Sequence, residues 1–293
     1  MGDRSRIEWT DATWNPVTGC TTVSLGCAHC YAERLFPRLY GHHEVPDTAS
    51  STQATRPRTF ADVAFHPERL EQPLRWHKPR RIYVCSTSDP FHRAVPDDFL
   101  FTMFGVMAAT PQHTYLILTK RVERMQTFLV EAGQLDNIEH EAERLTGYIR
   151  SFLDIEWLLP NVWLGISVED QWHANLRIPR LLRTPAAVRW VSYEPALRPV
   201  DFRAVPLPDG DTLGIGLFSH GDGSGIDWIV CGGESGPHAR PMQIAWIEGV
   251  VHQCQAAHVP IFVKQDAGPR PGLQGRIPDH LWIKHYPPQR TSP

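Results

Sequence analysis

Apolar residues in this chain come in short blocks of two alternating kinds. RIYVCS at 81–86, TYLILT at 114–119, VWLGISV at 162–168, VRWVS at 188–192, WIVC at 228–231 and PIFVK at 260–264 are rich in β-branched and aromatic residues and apolar at successive positions. Such runs predict parallel strands covered on both faces. Between them, apolar positions recur at helical spacing and predict helices over 97–109, 121–132, 171–182 and 244–258. Asp97 and Asp98 suit a cap or a first helical turn. Shorter helices are expected over 32–40 and 66–76. Alternating strands and helices joined by right-handed crossovers give a parallel α/β fold. With one more strand before residue 20, about six to seven βα units form a partial or complete (βα) barrel, and an open doubly wound sheet is the alternative. No Gly-x-Gly-x-x-Gly follows the first strand, which removes a dinucleotide site of that type. The chain reads as a single domain over 1–293, with irregular insertions near 41–60 and 201–227.

The strand ends carry the polar residues. Ser88 and Asp89, Lys120 and Arg121, Ser167 and Glu169, Glu194, Gly233 and Glu234, and Lys264 and Gln265 each follow or end an apolar run. In a βα barrel these ends meet at one mouth, the usual active-site face. For any one of them a helix first turn, a tight turn or a buried ion pair is the competing role.

Composition narrows the setting. With 29 Lys and Arg against 32 Asp and Glu, the net charge of −3 provides no global field for nucleic acid. The basic stretch RWHKPRR at 75–81 is the strongest local candidate for a phosphate contact. The start MGDRSRIEWTDATWNP has no long apolar run, so no signal peptide is expected, and no run reaches membrane-spanning length. Six cysteines in 293 residues are too few for a disulfide scaffold, and a cytoplasmic location is expected. Cys85, Cys231 and Cys254 sit in apolar runs and read as buried small residues.

The other three are clustered. Cys20, Cys27 and Cys30, in GCTTVSLGCAHC, have the spacing C-x6-C-x2-C. Gly19 and Gly26 permit the turns such a loop needs. Three thiolates can hold an iron–sulfur cluster and leave one iron open. A closed zinc site with His42 or His43 as fourth ligand is the alternative.

Together with a chain of βα units, this loop resembles the radical S-adenosylmethionine superfamily. The segments IEWTDATWNPVTGC, GCAHCYAERL, VWLGISVEDQ, VSYEPAL, WIVCGGESGPHARPM and IFVKQDAG resemble more closely a phage- and prokaryote-encoded, three-cysteine radical-SAM-like group whose role is largely unassigned. The likeness implies a TIM-barrel-like fold and a [4Fe-4S] cluster on Cys20, Cys27 and Cys30. S-adenosyl-L-methionine would chelate the open iron, and one-electron reduction by a donor such as a flavodoxin or ferredoxin would yield a 5′-deoxyadenosyl radical. It further implies that Tyr31 packs near the adenine, that Ser88 and Asp89 meet the cofactor's ammonium group, and that Lys120 meets a carboxylate or phosphate. Ser167 and Glu169 would contact ribose or amino groups. From their own positions at strand ends, Gly233 and Glu234 allow close approach of a ligand and Glu194 suits either ligand contact or a buried ion pair, and all three are counted with the cofactor-binding candidates. This chain departs from the commoner C-x3-C-x2-C spacing, and His29 stands where an aromatic residue is frequent. The substrate class expected is a nucleic acid or nucleotide. The alternative function is a metal- or cluster-stabilised nucleic-acid-binding protein without radical chemistry. A hydrolase using Glu169, Glu194 and Glu234 ranks last, since no nucleophile-elbow motif is present.

Overall fold

Two-sided burial of the apolar runs produces a parallel sheet, and the computed structural model shows it over the described residues, 5, 7–46, 54–130, 134–146, 159–207 and 225–288. Its seven strands are β1 (Ala12–Trp14), β2 (Arg81–Val84), β3 (Thr114–Thr119), β4 (Val162–Val168), β5 (Val188–Tyr193), β6 (Trp228–Gly232) and β7 (Ile261–Gln265). Each strand pairs only with its neighbours in sequence, and the sheet curls into a half-barrel. That unbroken order is what successive crossovers of one hand produce. Helix α1 (Tyr31–Tyr40) follows β1 and α2 (Asp97–Ala109) follows β2. Next come α3 (Val122–Val130) and α4 (Gln134–Thr146) after β3, α5 (Gln171–Leu182) after β4 and α6 (Ile244–Ala256) after β6.

The two faces of the strands bury different residues. Leu164, Ile166 and Val168 of β4 point into the core shared with the helices. Inward, Tyr83, Leu116, Trp163, Trp190, Trp228 and Phe262 form a second cluster around Trp9. The ring centroids of Trp9 and Trp190 lie 5.4 Å apart, and those of Trp190 and Trp228 5.5 Å. Gly165 makes room for this stack, because a Cβ there would fall 2.2 Å from the Trp190 ring. One register step further on, Ser167 of β4 pairs with Ser192 of β5, and the inner face turns polar. At the open side, Lys284, which bridges Phe262 of β7, reaches Glu8 ahead of β1 at 2.7 Å and ties the two sheet edges together.

Several expectations need adjusting. An α-helix over 66–76 does not form. Pro67 and Pro73 each open a separate 3-10 turn, Pro67–Arg69 and Pro73–Arg75, since proline lacks the N–H an α-helix would use. Helix α4 was not expected. Among the described residues an α-helix follows five of the seven strands: β5 leads only to the turn Phe202–Ala204, and β7 only to Asp279–Leu281. The first insertion contains a two-stranded antiparallel ribbon, Glu44–Pro46 with Thr55–Pro57. Residues 47–53 of that insertion and 208–224 of the second lie outside the described residues. Among the described residues, no helix is long and apolar enough to cross a membrane.

Candidate functional site

The cysteine loop is pinned to the C-terminal ends of the strands. Gly19, with φ of 88°, donates its N–H to the Thr87 carbonyl and bridges Ser88 beyond β2. A side chain at Gly19 would meet the Asp62 carbonyl at 2.7 Å. The Cys20 N–H donates to the Phe60 carbonyl at 2.7 Å. A single 3-10 turn, Leu25–Cys27, carries the second thiol, and Cys30 sits at the N-cap of α1. Gly26 crosses directly over Lys120 and Glu169, where a Cβ would lie 2.5 Å from Glu169 Oε1 and 2.7 Å from Lys120 Nζ. All three cysteines are partly exposed and line one cavity of about 580 Å³ at the strand ends.

Two cations stand beside the thiols. Arg121 donates from Nη1 to Cys20 Sγ at 3.4 Å and to Asp89 Oδ2 at 2.9 Å, and from Nη2 to the Thr21 carbonyl at 2.8 Å. Burial pushes the Cys20 thiol up to about 11, Asp89 adds to the rise, and Arg121 offsets part of it. Burial also raises Cys30. Cys27 falls below the ordinary thiol value, because Lys120, nearby backbone groups and the Ser24 hydroxyl outweigh burial.

Lys120 is itself held by Glu169. Glu169 Oε1 accepts from Lys120 Nζ and from Ser24 Oγ at 2.6 Å, while Oε2 accepts from Arg177 Nη1 at 3.0 Å. Burial alone would raise the Glu169 acid, but Lys120 and Arg177 hold it below the usual carboxylate range. Neighbouring Asp170 caps α5, accepting from the His173 N–H at 2.9 Å.

Of the residues singled out in the sequence, Cys20, Cys27, Cys30, Tyr31, Ser88, Asp89, Lys120, Ser167, Glu194, Gly233 and Glu234 all line this cavity. Their partners revise several expected roles. Glu169 does not reach the cavity: it is fully buried beneath the cysteine loop, where it positions Lys120 and Ser24 instead of a ligand. Asp89 has its oxygens engaged by Thr119, Phe91 N–H, Lys120 N–H and Arg121, so its charge is met within the protein. The Ser88 hydroxyl donates to the Val17 carbonyl at 2.8 Å. Gly233 is required by the neighbouring chain, since a Cβ would strike Ala267 N at 2.3 Å. Tyr31 stays 39% exposed at the rim and donates its hydroxyl to the Ser86 carbonyl. Ser167 donates to the Glu194 carbonyl at 3.0 Å. Glu194, which precedes a cis bond to Pro195, pairs with Lys264 at 2.9 Å. Glu234 accepts from Arg240 Nη2 at 2.6 Å and lies 2.8 Å from His29 Nδ1. Burial opposes the ionised form of Glu234, yet the Arg240 bonds hold its acid below the usual range.

Sequence reasoning missed Trp9, Tyr83, Ser24 and Arg177. Trp9 offered one signal, a large aromatic residue two positions after Ile7 and shortly ahead of β1. Ser24 and Tyr83 acquire a role only through contacts distant in sequence, whereas Arg177 reaches back from α5 to Glu169 and the Ser167 carbonyl at the end of β4.

Among the described residues, no three His, Cys, Asp or Glu side chains converge on a point that one metal ion would occupy. The expected fourth zinc ligands are elsewhere: the His42 and His43 rings pack on each other at 4.3 Å and do not line the cavity. An iron–sulfur cluster, by contrast, keeps its thiolate ligands apart by its own width. Cys20, Cys27 and Cys30 all line the cavity, Arg121 bonds Cys20 and Lys120 acts on Cys27, and thiolates are the donor type that iron–sulfur clusters take.

Residues 4–273 match the model of a family described as "Protein of unknown function (DUF5131)", and the chain belongs to that family. No curated protein and no solved structure matches it.

Proposed function

We propose that this family member is a radical S-adenosylmethionine enzyme. In this reading Cys20, Cys27 and Cys30 hold a [4Fe-4S] cluster, S-adenosylmethionine occupies the cavity beside it, and the substrate is a nucleic acid or nucleotide. One observation carries the reading: three thiols from a single loop line the same cavity, about 580 Å³, at the C-terminal ends of a parallel half-barrel. With both groups bound, one electron from a donor such as a flavodoxin or ferredoxin would cleave the sulfonium to methionine and a 5′-deoxyadenosyl radical, which takes hydrogen from the substrate.

The chain's own contributions are electrostatic and steric. Arg121, fixed by Asp89 and the Thr21 carbonyl, donates to the Cys20 sulfur and favours its thiolate. Lys120, fixed by Glu169, favours the Cys27 thiolate. The packed rings around Trp9 close the base of the half-barrel and keep water from entering there. Ser167, Glu194 and Glu234 face the cysteines' cavity from other strand ends and are the candidates for polar contacts to ligands.

The binding-module alternative has no comparable support. In the basic stretch, Arg80 lies 4.8 Å over the Trp76 ring and Arg81 4.5 Å over Tyr286, so both guanidinium groups stack within the chain. The direct test is release of 5′-deoxyadenosine from anaerobic, cluster-loaded protein given S-adenosylmethionine and dithionite. The wild type is expected to release it and Cys30→Ala to lose that release. An intact cluster with no release would overturn the enzymatic reading in favour of binding alone.

A further inference from the structure

One helix face beside the cysteine loop is bare. In α1, Ala32, Phe36 and Tyr40 turn into the protein. Tyr31, Leu35 and Leu39, spaced four apart, form a stripe along the adjoining face and are 39%, 42% and 40% exposed. Leu25, in the turn that carries Cys27, is 67% exposed. Single exposed apolar side chains are ordinary, but an apolar stripe rimmed by polar residues marks a contact surface. This stripe starts one residue after Cys30, and Tyr31 and Leu35 also line the cavity.

The stripe is edged with positive charge. Arg34 and Arg38 are exposed on the same side of α1. Arg34 lies against Gly236, where a Cβ would fall 1.4 Å from its Nη1, and it donates to the Ser235 carbonyl at 3.0 Å. Neither arginine has a carboxylate partner among the described residues. Exposed Arg270 follows Gly268, which bridges Ser235, and adds a third cation. Glu33, the one acid of α1, lies across the buried face from the stripe. In a chain of net charge −3, this is a locally basic edge.

We infer that this face of α1 is the docking surface for the protein that delivers the electron, a small carrier with an acidic surface around a one-electron cofactor. The inference rests on the proposed function and locates the partner of that site. The reduced carrier gives up one electron and the cluster gains it, with no bond or proton exchanged between the two proteins. Arg34, Arg38 and Arg270 steer an acidic partner, and the stripe supplies the small apolar contact that a transient redox encounter uses.

Release of 5′-deoxyadenosine is measured with two kinds of reductant. Dithionite needs no docking; a reduced flavodoxin and a reduced ferredoxin do. Leu39→Ser and Arg38→Glu alter exposed side chains that do not line the cavity. Each is expected to slow carrier-driven release about three- to tenfold and to leave dithionite-driven release unchanged. Salt should slow carrier-driven release in the wild type, and less so in Arg38→Glu. If one variant does not fold, as judged by circular dichroism, the other decides. Unchanged carrier-driven release, an equal loss with dithionite, or a wild type that responds to dithionite and to neither carrier overturns the surface. So does a dimer in sedimentation that Leu39→Ser abolishes, which assigns the stripe to a second copy of the chain. If the wild type releases nothing with any reductant, the proposed function fails by itself. Calorimetric binding of the oxidised carriers then tests the surface: weaker binding in the variants supports it, and unchanged or absent binding overturns it.

Discussion

One added methyl group tests how the cysteine loop is seated. Gly26 lies over the Lys120–Glu169 pair, and a Cβ there would sit 2.5 Å from a carboxylate that is fully buried and cannot swing away. Gly26→Ala is therefore expected to keep the fold, by circular dichroism, while lowering iron incorporation several-fold on anaerobic reconstitution. Unchanged incorporation would mean the loop is free to lift. The three thiols also differ in reactivity. Cys27 is held below the ordinary thiol value and Cys20 is pushed up to about 11, so the metal-free chain carries more thiolate at Cys27 near neutral pH. Iodoacetamide at pH 7 should label Cys27 first in a mass-spectrometric time course, and earlier labelling of Cys20 would contradict this. The cysteine spacing was plain in the sequence. The partners that set each thiol were not, because Lys120, Arg121 and Glu169 are about a hundred residues or more away along the chain.

Within the elements, Gly165 fixes the shape of the inner face. β4 must pass the Trp190 ring so closely that Gly165→Ala places a Cβ 2.2 Å from it. Overpacking of this kind costs about 1–3 kcal/mol. Urea unfolding should show a lowered midpoint with an unchanged slope, and an unchanged midpoint would show that the tryptophan stack yields freely. The strands were legible because burial on both faces leaves unbroken apolar runs, and β3 and β4 begin and end where the pattern places them. α4 was overlooked because its buried positions, Ile138, Ala142 and the partly buried Leu145, are sparse among charged residues. It packs on α2 at Gly105, where a Cβ would meet Glu141 Cβ at 2.7 Å, a contact that no local pattern reveals. The 66–76 segment was misread because its apolar spacing suits a helix while its prolines do not.

For the whole molecule, buried carboxylates paired with cations tie separate strand ends together and make stability depend on acid. Burial works against Glu169, Glu234 and Asp266, but Lys120 with Arg177, Arg240, and Arg276 hold each below the usual carboxylate range. A folded-state pKa below the unfolded value gives stability that is fully present above the unfolded value, about pH 4, and is lost as pH falls through the folded value. The melting temperature should drop below about pH 4 as these carboxylates protonate. Glu234→Gln should flatten that drop, and a drop as steep as that of the wild type would remove Glu234 from the account. The barrel-like order of strands and the polar mouth followed from the sequence. The aromatic closure did not, because it unites rings from strands far apart in the chain. The central claim concerns what the three cysteines hold, and it is tested most directly by iron and acid-labile sulfide per chain after anaerobic reconstitution. About four of each are expected in the wild type and neither in the Cys20→Ala, Cys27→Ala, Cys30→Ala triple variant. One zinc per chain without sulfide, or equal iron in the triple variant, would contradict the account.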